Sequence, residues 1–416
     1  MGGVGTSRRA HRVGGGAGPG QRIVGAVPGR SPVIGALSVT VAALVPLSPK
    51  GVRPMSQPAV RDGVAGAVRR AEALEAEGDV RQAIDLLTRA NRLDPDPQYD
   101  RALVRVRRGG CRWLTPPEVP GDRQPVTASQ PGDGVFEVAA AELNVSSLRE
   151  GLSQSGCVLV RGIISPDRAA HLAAGIDTAL AAYDAAEAGD ETVDRAWYNP
   201  FSMPDRVPAA VAGAVATTSG AHQPAPLPER KRRQFIRDDG GLWTAYSPHM
   251  LFELFEVVDD VGVGALMTEF LGERPLLSAN KCTLRRAKPQ AWCGGWHQDG
   301  AFLGDHVGSF NFWLSLSRCG RDAPGLDIVP RRIDEVLPSG EGAPFAWALS
   351  DEAVLQAANG TPIERPEFEA GDALLFDHRL VHRTASDAEM TLERHAIEAW
   401  FFAASAYPAG QLPVIY

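Results

Sequence analysis

Residues 292–300 read Trp-Cys-Gly-Gly-Trp-His-Gln-Asp-Gly and contain an H-x-D motif. Side chains alternate faces along a strand, so we expect the imidazole of His297 and the carboxylate of Asp299 on the same side. A second strand-like run opens at Gly371-Asp372, and His382 follows it. Together the three side chains predict a metal site of two histidines and one aspartate.

The predicted ligand set indicates which metal would bind. Two histidines and one carboxylate on one face of a metal leave about three coordination positions open, as in the non-haem iron(II) oxygenases. We interpret three other histidines, His306, His378 and His395, as loop or core residues. Cys293 lies four residues before His297 and is interpreted as a packing residue rather than a thiolate ligand.

Composition and charge exclude several classes of protein. The chain has 416 residues, of which 44% are hydrophobic and 22% charged, as in an ordinary globular protein. Residues 1–55 hold seven basic and no acidic residues, so the remainder carries 35 basic against 50 acidic residues, a net charge of −15. Such an acidic body argues against a nucleic-acid partner. Five cysteines without a C-x-x-C pair argue against a disulfide framework or a zinc site, so we predict a cytoplasmic protein.

The first 55 residues are rich in Gly, Arg, Ala, Val and Pro. The apolar stretch from Val33 to Leu47 is shorter than the roughly 20 residues of a spanning helix, so we expect no membrane partner. Arg8-Arg9 also fits a twin-arginine signal, and the lack of acidic residues also fits a transit peptide. No clear cleavage site follows, and we predict a disordered or artefactual leader over 1–55.

Residues 56–110 predict a small helical segment. Two apolar stripes at helical spacing flank the turn Gly78-Asp79, and the run from Ala71 to Pro95 resembles one tetratricopeptide repeat. One repeat cannot bury its own apolar face, so we expect it to pack on the main domain, on a second subunit or on another protein. An ordinary helical hairpin without a partner is the alternative.

The rest of the chain predicts an α+β domain. Residues 111–145 are interpreted as a linker, 146–404 as helices followed by short strands of a jelly-roll or barrel core, and 405–416 as a tail. Within the domain, 184–245 is irregular and predicts a lid or binding loop. Its basic cluster, 230–233, is interpreted either as a site for an anionic substrate or as a solvated face.

Several motifs occur in the order found in the phytanoyl-CoA dioxygenase-like family of Fe(II)/2-oxoglutarate-dependent oxygenases, which the chain resembles over roughly 146–404. The segment Gly156–Asp167 resembles the opening strand and helix of that family. Trp296–Asp299 resembles its H-x-D motif, and Gly371–Phe376 followed by His382 resembles its G-D-x-x-x-F segment and distal histidine. The resemblance implies a double-stranded β-helix core, of jelly-roll or cupin type, flanked by helices.

The resemblance also implies cofactors and their ligands. The implied Fe(II) ligands, which also form the catalytic centre, are His297, Asp299 and His382. The residues implied to bind 2-oxoglutarate are Arg394, Thr384, Trp313 and Lys281. Arginine suits the far carboxylate because its planar guanidinium can donate two parallel hydrogen bonds. With O2 as co-substrate, 2-oxoglutarate would become succinate and CO2 while a small organic molecule is hydroxylated.

The substrate itself is not implied. The related halogenases have Gly or Ala where this chain has Asp299, so hydroxylation is favoured. The family often has a P-G-S-H-like turn at the edge of the active site, whereas this chain reads Pro330-Arg331-Arg332. Candidate substrate contacts are Trp296, Gln298 and Arg331.

Two other functions stay open. The helical segment is reminiscent of hydroxylases that modify protein side chains, which would make the substrate a peptide. A barrel without iron would instead be a non-catalytic binding module. The N-terminal helices could also serve as an oligomerisation device or adaptor in either case.

Overall fold

The computed structural model describes five stretches of the chain, residues 63–114, 124–130, 132–202, 229–289 and 295–416. All of them belong to one compact unit, Gln57–Tyr416. The predictions made for residues 1–55 and for Cys293 lie outside the described residues, as does the middle of the predicted lid.

Helices and strands both contribute to the described part of the chain. The helices are α1 (Gly63–Ala76), α2 (Val80–Leu93), α3 (Pro97–Gly109), α4 (Val145–Ser155), α5 (Pro166–Glu187), α6 (Glu229–Asp238), α7 (Pro248–Asp260), α8 (Val263–Leu271), α9 (Gly300–Leu303) and α10 (Asp351–Ala358). The strands are β1 (Phe136–Ala139), β2 (Cys157–Arg161), β3 (Gly241–Trp243), β4 (Pro275–Ser278), β5 (Thr283–Ala287), β6 (Ser309–Ser315), β7 (Gly325–Ile328), β8 (Ala373–Phe376), β9 (His382–Ala385), β10 (Arg394–Ala403) and β11 (Pro413–Ile415).

Nine strands form one large sheet and two form a small one. The main path of the large sheet is β1-β2-β8-β6-β10-β4-β11, while β5 pairs with β10 and β3 pairs with β5. The β1–β2 pair is parallel and the other pairs of this sheet are antiparallel. Strands β7 and β9 pair antiparallel in the second sheet. The prediction of a mixed protein with helices on a large sheet is confirmed.

Strand β10 runs through the middle of the large sheet and divides the core. Ile397, Ala399 and Phe401 are buried against the helices α5 and α7. The alternate residues Ala396 and Trp400 belong to a second core on the opposite face. A strand buried on both faces reads as a nearly continuous apolar run, as this one does. The face that carries Ala396 and Trp400 is called the inner face below.

Local capping explains where the helices around the sheet begin and end. The hydroxyl of Ser165 accepts a hydrogen bond from the backbone N–H of Arg168 at 3.2 Å, and Pro166 occupies the first position of α5. Helix α4 ends at Gly156, whose φ of 76° is left-handed and favours glycine. The chain therefore turns directly from α4 into β2.

The helical segment packs on the body of this unit. Asp100 of α3 is buried and accepts hydrogen bonds from Asn91 Nδ2 at 2.7 Å and from His249 Nδ1 of α7 at 3.0 Å. Arg92 donates two hydrogen bonds to Glu256 of α7, at 2.7 and 2.8 Å. The apolar face that the sequence predicted to need a partner is therefore covered by α7 of the same chain.

Two predicted boundaries differ from the structure. Strand β1 lies inside the predicted linker 111–145, and β11 lies inside the predicted tail 405–416. Both are short strands at the edges of the large sheet, and main-chain hydrogen bonds to β2 and β4 hold them there. Such pairing leaves little trace in segments of three or four residues.

The basic cluster of the predicted lid begins helix α6. The guanidinium of Arg233 lies 3.5 Å from Glu187, and Arg237 one turn later contacts Asp184 through two hydrogen bonds. This helix is therefore tied to the end of α5 by ion pairs, while Lys231 is exposed.

Among the described helices, none has both the length and the apolar character that a bilayer crossing requires.

The contact between Asp100 and His249 predicts a pH-dependent stability. The hydrogen bond that His249 donates to Asp100 raises the pKa of His249 above its ordinary value, against the effect of burial. Protonated His249 therefore stabilises the fold fully below a pH of about 6.5, and this contribution is lost as the pH rises through the raised pKa.

Asp100→Asn should lower the free energy of unfolding by about 1–3 kcal/mol at pH 6 and by less at pH 9. Urea unfolding at both pH values measures this difference, with the exposed Asp94→Asn as the control. A loss of equal size at pH 6 and pH 9 would contradict the assignment.

Candidate metal centre

The main chains of two histidines hold the centre together. The N–H of His297 donates to the carbonyl of His382 at 3.0 Å, and the N–H of His382 donates to the carbonyl of His297, also at 3.0 Å. The two imidazole rings lie 4.5 Å apart, centre to centre. Residues 85 positions apart are thereby placed side by side, on a bridge outside the named strands.

The H-x-D motif is not the continuous strand that we predicted. His297 forms a β-bridge, but Asp299 has helical backbone angles, φ −62° and ψ −24°, and its carbonyl accepts the first hydrogen bond of α9 from Leu303. At this point the N–H of Gly300 donates to the carbonyl of His378 at 2.8 Å, and the chain enters a short helix. The carboxylate nevertheless reaches the histidines through this turn.

The structure brings the three predicted ligands together. One ligand atom from each of His297, Asp299 and His382 lies within 4.8 Å of the others, and Nε2 of His382 is 3.7 Å from Oδ2 of Asp299. Within the described residues, this is the cluster whose donor atoms could surround one metal ion. The other histidines lie elsewhere: His378 bonds Ser309 and the carbonyl of Asp305, and His395 contacts Asp177.

Both histidines are oriented for metal binding through the same nitrogen. Nδ1 of His297 lies 3.0 Å from the carbonyl of Gly295, and Nδ1 of His382 lies 3.1 Å from the carbonyl of Leu380. A carbonyl only accepts, so each Nδ1 carries the proton and donates it. The Nε2 lone pair of each neutral ring is then directed elsewhere, as in metal-binding histidines held by an outer hydrogen bond.

The electrostatics favour the protonation states that a cation needs. Burial lowers the pKa of His297 to about 4, so this imidazole is neutral at pH 7. Burial would raise the pKa of Asp299, but Lys281 and the two histidines outweigh it and lower that pKa to about 2. Neutral imidazoles and an ionised carboxylate are the forms that bind a divalent metal.

Lys281 contacts the aspartate of the triad. Its Nζ donates to Oδ1 of Asp299 at 2.7 Å and lies 3.7 Å from the carboxylate of Glu398. It also lies 4.5 Å from the centre of the Phe302 ring. The resemblance implied a role in 2-oxoglutarate binding, and the structure places this ammonium beside the metal ligand, where it orients the carboxylate.

Arg394 is a buried cation without a carboxylate partner. Only 2% of its surface is exposed, and Nη1 donates to the main-chain carbonyls of Gly325 at 3.0 Å and Pro324 at 3.3 Å. Its Nε is buried with no hydrogen-bond partner, and no carboxylate lies within 4 Å among the described residues. An unpaired buried charge costs several kcal/mol, and an anion at this guanidinium would offset that cost.

Trp313 and Thr384 lie on the strands around Arg394. The Arg394 guanidinium is 5.5 Å from the centre of the Trp313 ring, which belongs to the inner face of β6. Thr384 pairs with Leu326 of β7, next to the Gly325 carbonyl that holds Arg394. Three of the residues implied for 2-oxoglutarate therefore surround one region of the inner face.

The three candidate substrate contacts have structural roles. The amide of Gln298 is 1% exposed; it donates to the carbonyls of Glu335 and Arg379 and accepts from the N–H of Leu337. Trp296 lies in a small apolar cluster, and Arg331 donates to the carbonyl of Ala357 at 2.7 Å. Their hydrogen bonds and packing hold the loops around the centre, and contact with a substrate stays a prediction.

Sequence reasoning missed an aromatic wall beside His297. The ring centre of Trp347 lies 5.5 Å from that of His297, edge to face, and Phe302 lies 6.2 Å from it. Phe345 stacks parallel on Trp347 at 5.1 Å. Phe345 and Trp347 come from an irregular segment without periodicity, so no pattern in the sequence singles them out.

A buried amide on the inner face was also missed. Asn311 is 1% exposed, and neither Nδ2 nor Oδ1 has a hydrogen-bond partner. It pairs across the sheet with Phe376 and Trp400, and the Phe376 ring lies 5.2 Å from that of His382. A single amide in the apolar run Phe310–Leu314 was the available signal.

Comparisons with known proteins give structural matches only. No protein-family model matches the chain, and no curated protein matches it. The structure of AviO1 from Streptomyces viridochromogenes Tue57 is 18% identical, with a TM-score of 0.37, over 64% of this chain and 98% of that one. The structure of EctD from S. alaskensis with 2-oxoglutarate and 5-hydroxyectoine is 15% identical, with a TM-score of 0.41, over 70% and 84%. No family is assigned by these values, and function has to be argued from the side chains of this chain.

Gln298→Met tests whether the amide supports the centre. The substitution keeps the length of the side chain but removes three hydrogen bonds, so we expect a loss of about 2–4 kcal/mol in stability. Metal affinity should fall about 10- to 100-fold because Gln298 lies between two ligands. Thermal unfolding and anaerobic Fe(II) titration measure the two effects, and the exposed Gln356→Met is the control. Unchanged metal affinity in Gln298→Met would contradict the supporting role.

Proposed function

We propose that the chain is an Fe(II)- and 2-oxoglutarate-dependent oxygenase that hydroxylates an unactivated C–H bond of a small organic molecule. The observation that carries the proposal is the pairing of a convergent His–Asp–His cluster with a buried, unpaired arginine on the inner face. A metal cluster alone fits many functions. An unpaired guanidinium on the same inner face favours a cofactor whose carboxylate binds the arginine while its other end binds the metal.

The fold we propose for this domain is a double-stranded β-helix. The large sheet supplies one wall through its inner face, and the small β7–β9 sheet supplies the other. Bridges at His297, His382 and Ile328 extend the small sheet toward the metal ligands. This arrangement supports the proposal because it encloses the inner face between two sheets.

The residues present fit the two cofactors. Nε2 of His297, Nε2 of His382 and a carboxylate oxygen of Asp299 would hold Fe(II), and three donors on one face leave positions for other ligands. Arg394 would pair with the far carboxylate of 2-oxoglutarate, with Thr384 and Trp313 beside it. When bound, iron and 2-oxoglutarate supply the oxidation by O2 that yields succinate, CO2 and a hydroxylated product.

The chain's own groups would position the reactants and exclude water. Lys281 holds one oxygen of Asp299, which leaves the other oxygen facing His382. The rings of Phe302 and Trp347 cover the side of His297 and make an apolar approach for the substrate. Asn311 offers an unused donor and an unused acceptor to a ligand at the centre.

Replacing a ligand tests the metal assignment. Asp299→Ala and His297→Ala should abolish Fe(II)-dependent turnover and leave the fold intact, because each removes one of three donors. Anaerobic addition of Fe(II) and then 2-oxoglutarate should give a weak visible charge-transfer band in the wild type and none in the variants. Succinate formation after admission of air measures turnover. An active Asp299→Ala enzyme, or a folded wild type with neither band nor succinate, would refute the proposal and favour a binding module.

Arg394→Gln tests the anion site. We expect the Kd for 2-oxoglutarate to rise about 100-fold or more, because a buried ion pair is lost, while Fe(II) binding changes little. The exposed Arg318→Gln carries the same charge change and should behave as the wild type. Equal 2-oxoglutarate affinity in Arg394→Gln and wild type would exclude the role.

Asn311→Leu should separate stability from activity. The substitution is nearly isosteric and removes two unpaired polar atoms from a buried place, so stability should stay equal or increase by about 1–3 kcal/mol. Activity should fall, since a ligand loses its hydrogen-bond partner. Asn280→Leu is the contrast, because its amide bonds Gly410 and Leu412 and its loss should destabilise the fold. A fully active Asn311→Leu enzyme would show that the amide has no part in binding.

A further inference from the structure

A polar cavity lies where the N-terminal helices meet the body of the unit. It has a volume of about 200 Å³ and shares no lining residue with the metal centre. Helices α2 and α3 form one side, and Asp259 of α7, Arg274 before β4 and Tyr416 after β11 form the other. The arginines that line it are Arg81, Arg89, Arg92, Arg107 and Arg274.

The charges around this cavity are not balanced. Of the five arginines, only Arg92 has carboxylate partners within 4 Å among the described residues, namely Glu256 at 2.7 Å and Asp259 at 3.8 Å. Asp85 and Asp259 are the acidic residues of the lining. The arginines of the lining therefore outnumber its acidic side chains, in a protein whose overall charge is −8.

Two of these guanidiniums are held in place by main-chain oxygens rather than by acids. Arg107 is 7% exposed and donates from Nη1 to the carbonyl of Ile415 at 2.8 Å. Arg274 donates from Nε to the main-chain oxygen of Tyr416 at 3.0 Å. Each has further N–H groups that these bonds do not use.

The arginines also repel one another. The pKa of Arg107 is lowered to about 10. Burial is the main cause, and Arg274 and Arg81 contribute to the lowering against the attraction of Asp259. Burial and Arg81 likewise lower the pKa of Arg274. Arg107 is buried, whereas Arg81 and Arg274 are exposed beside it, and like charges this close raise the local positive potential.

A hydroxyl in the same lining lacks a partner. Oγ1 of Thr88 is buried and makes no hydrogen bond, although it lies on α2 between Arg81 and Arg92. An unpaired buried hydroxyl costs about 1–3 kcal/mol unless a ligand or water meets it. This hydroxyl therefore indicates a polar ligand, independently of the charges.

We propose that this cavity binds the phosphate group of a small molecule. A phosphate group offers about three strong acceptor oxygens, whereas a single carboxylate offers about two. Its oxygens accept from several donors at once, which suits Arg81, Arg107 and Arg274 on different sides and the hydroxyl of Thr88. The inference stands apart from the proposed oxygenase function.

Occupancy would also fasten the helical segment. Arg81 belongs to α2, while Arg274 lies between α8 and β4. An anion bonded to both would link the N-terminal helices to the main sheet. Binding to the folded form alone stabilises it, so the ligand should raise the Tm.

The test measures binding of two phosphates by the full chain. Calorimetry and thermal unfolding are run with inorganic phosphate and with glycerol phosphate, against sodium chloride at equal ionic strength. At about a hundredfold excess over Kd, we expect the Tm to rise by about 2–8 °C with phosphate but not with chloride. Tighter binding of glycerol phosphate would indicate a phosphate ester, and tighter binding of inorganic phosphate the free anion.

Matched variants locate the binding. Arg81→Gln, Arg274→Gln and Thr88→Val should each weaken phosphate binding, the arginine variants about tenfold or more. Arg70→Gln, an exposed change of the same charge on α1, should bind as the wild type. The proposal is overturned if neither phosphate binds more strongly than chloride, or if Arg70→Gln weakens binding as much as Arg81→Gln does. Fe(II)-dependent turnover is followed in parallel, so that a failure here is distinguished from a failure of the oxygenase proposal.

Discussion

The reciprocal hydrogen bonds between the main chains of His297 and His382 are the constraint on which the candidate site depends. They join two segments far apart in sequence, and they fix the main-chain positions of both histidines without any side-chain contact. Nδ1 of each ring donates to the carbonyl two residues earlier, so Nε2 of each ring remains available to a metal. Main-chain hydrogen bonds therefore set the relative positions of the two imidazole rings.

Around this bridge, the protein holds polar groups that the fold itself does not satisfy. The buried guanidinium of Arg394 and the amide of Asn311 would destabilise the unit if nothing met them, whereas Gln298 in the same region is fully bonded. Burying unpaired polar atoms is costly, so such groups mark places shaped for ligands. The Arg-lined cavity at the helical segment contains a further group of this kind, the hydroxyl of Thr88.

Side-chain roles near the motif depended on packing that a linear pattern does not contain. The sequence indicated Trp296 and Gln298 as substrate contacts because they flank His297, and Arg331 because it lies in the turn that often edges the active site of the family. In the structure, the amide of Gln298 bonds three loop segments. Phe302 and Trp347 reach the centre instead, through the short helix α9 and a loop whose sequence has no period.

The sequence by itself predicted a cluster of His297, Asp299 and His382 and a mixed fold of helices and short strands, because these follow from residue chemistry and apolar periodicity, which are local. Only the tertiary structure decided that Asp299 reaches the histidines through a helical turn, that Lys281 contacts this carboxylate, and that Arg394 and Asn311 lack partners. It also decided that α7 covers the helical segment and that β1 and β11 belong to the sheet. These features depend on contacts between segments distant in sequence, whose geometry is set by packing and main-chain pairing rather than by local pattern.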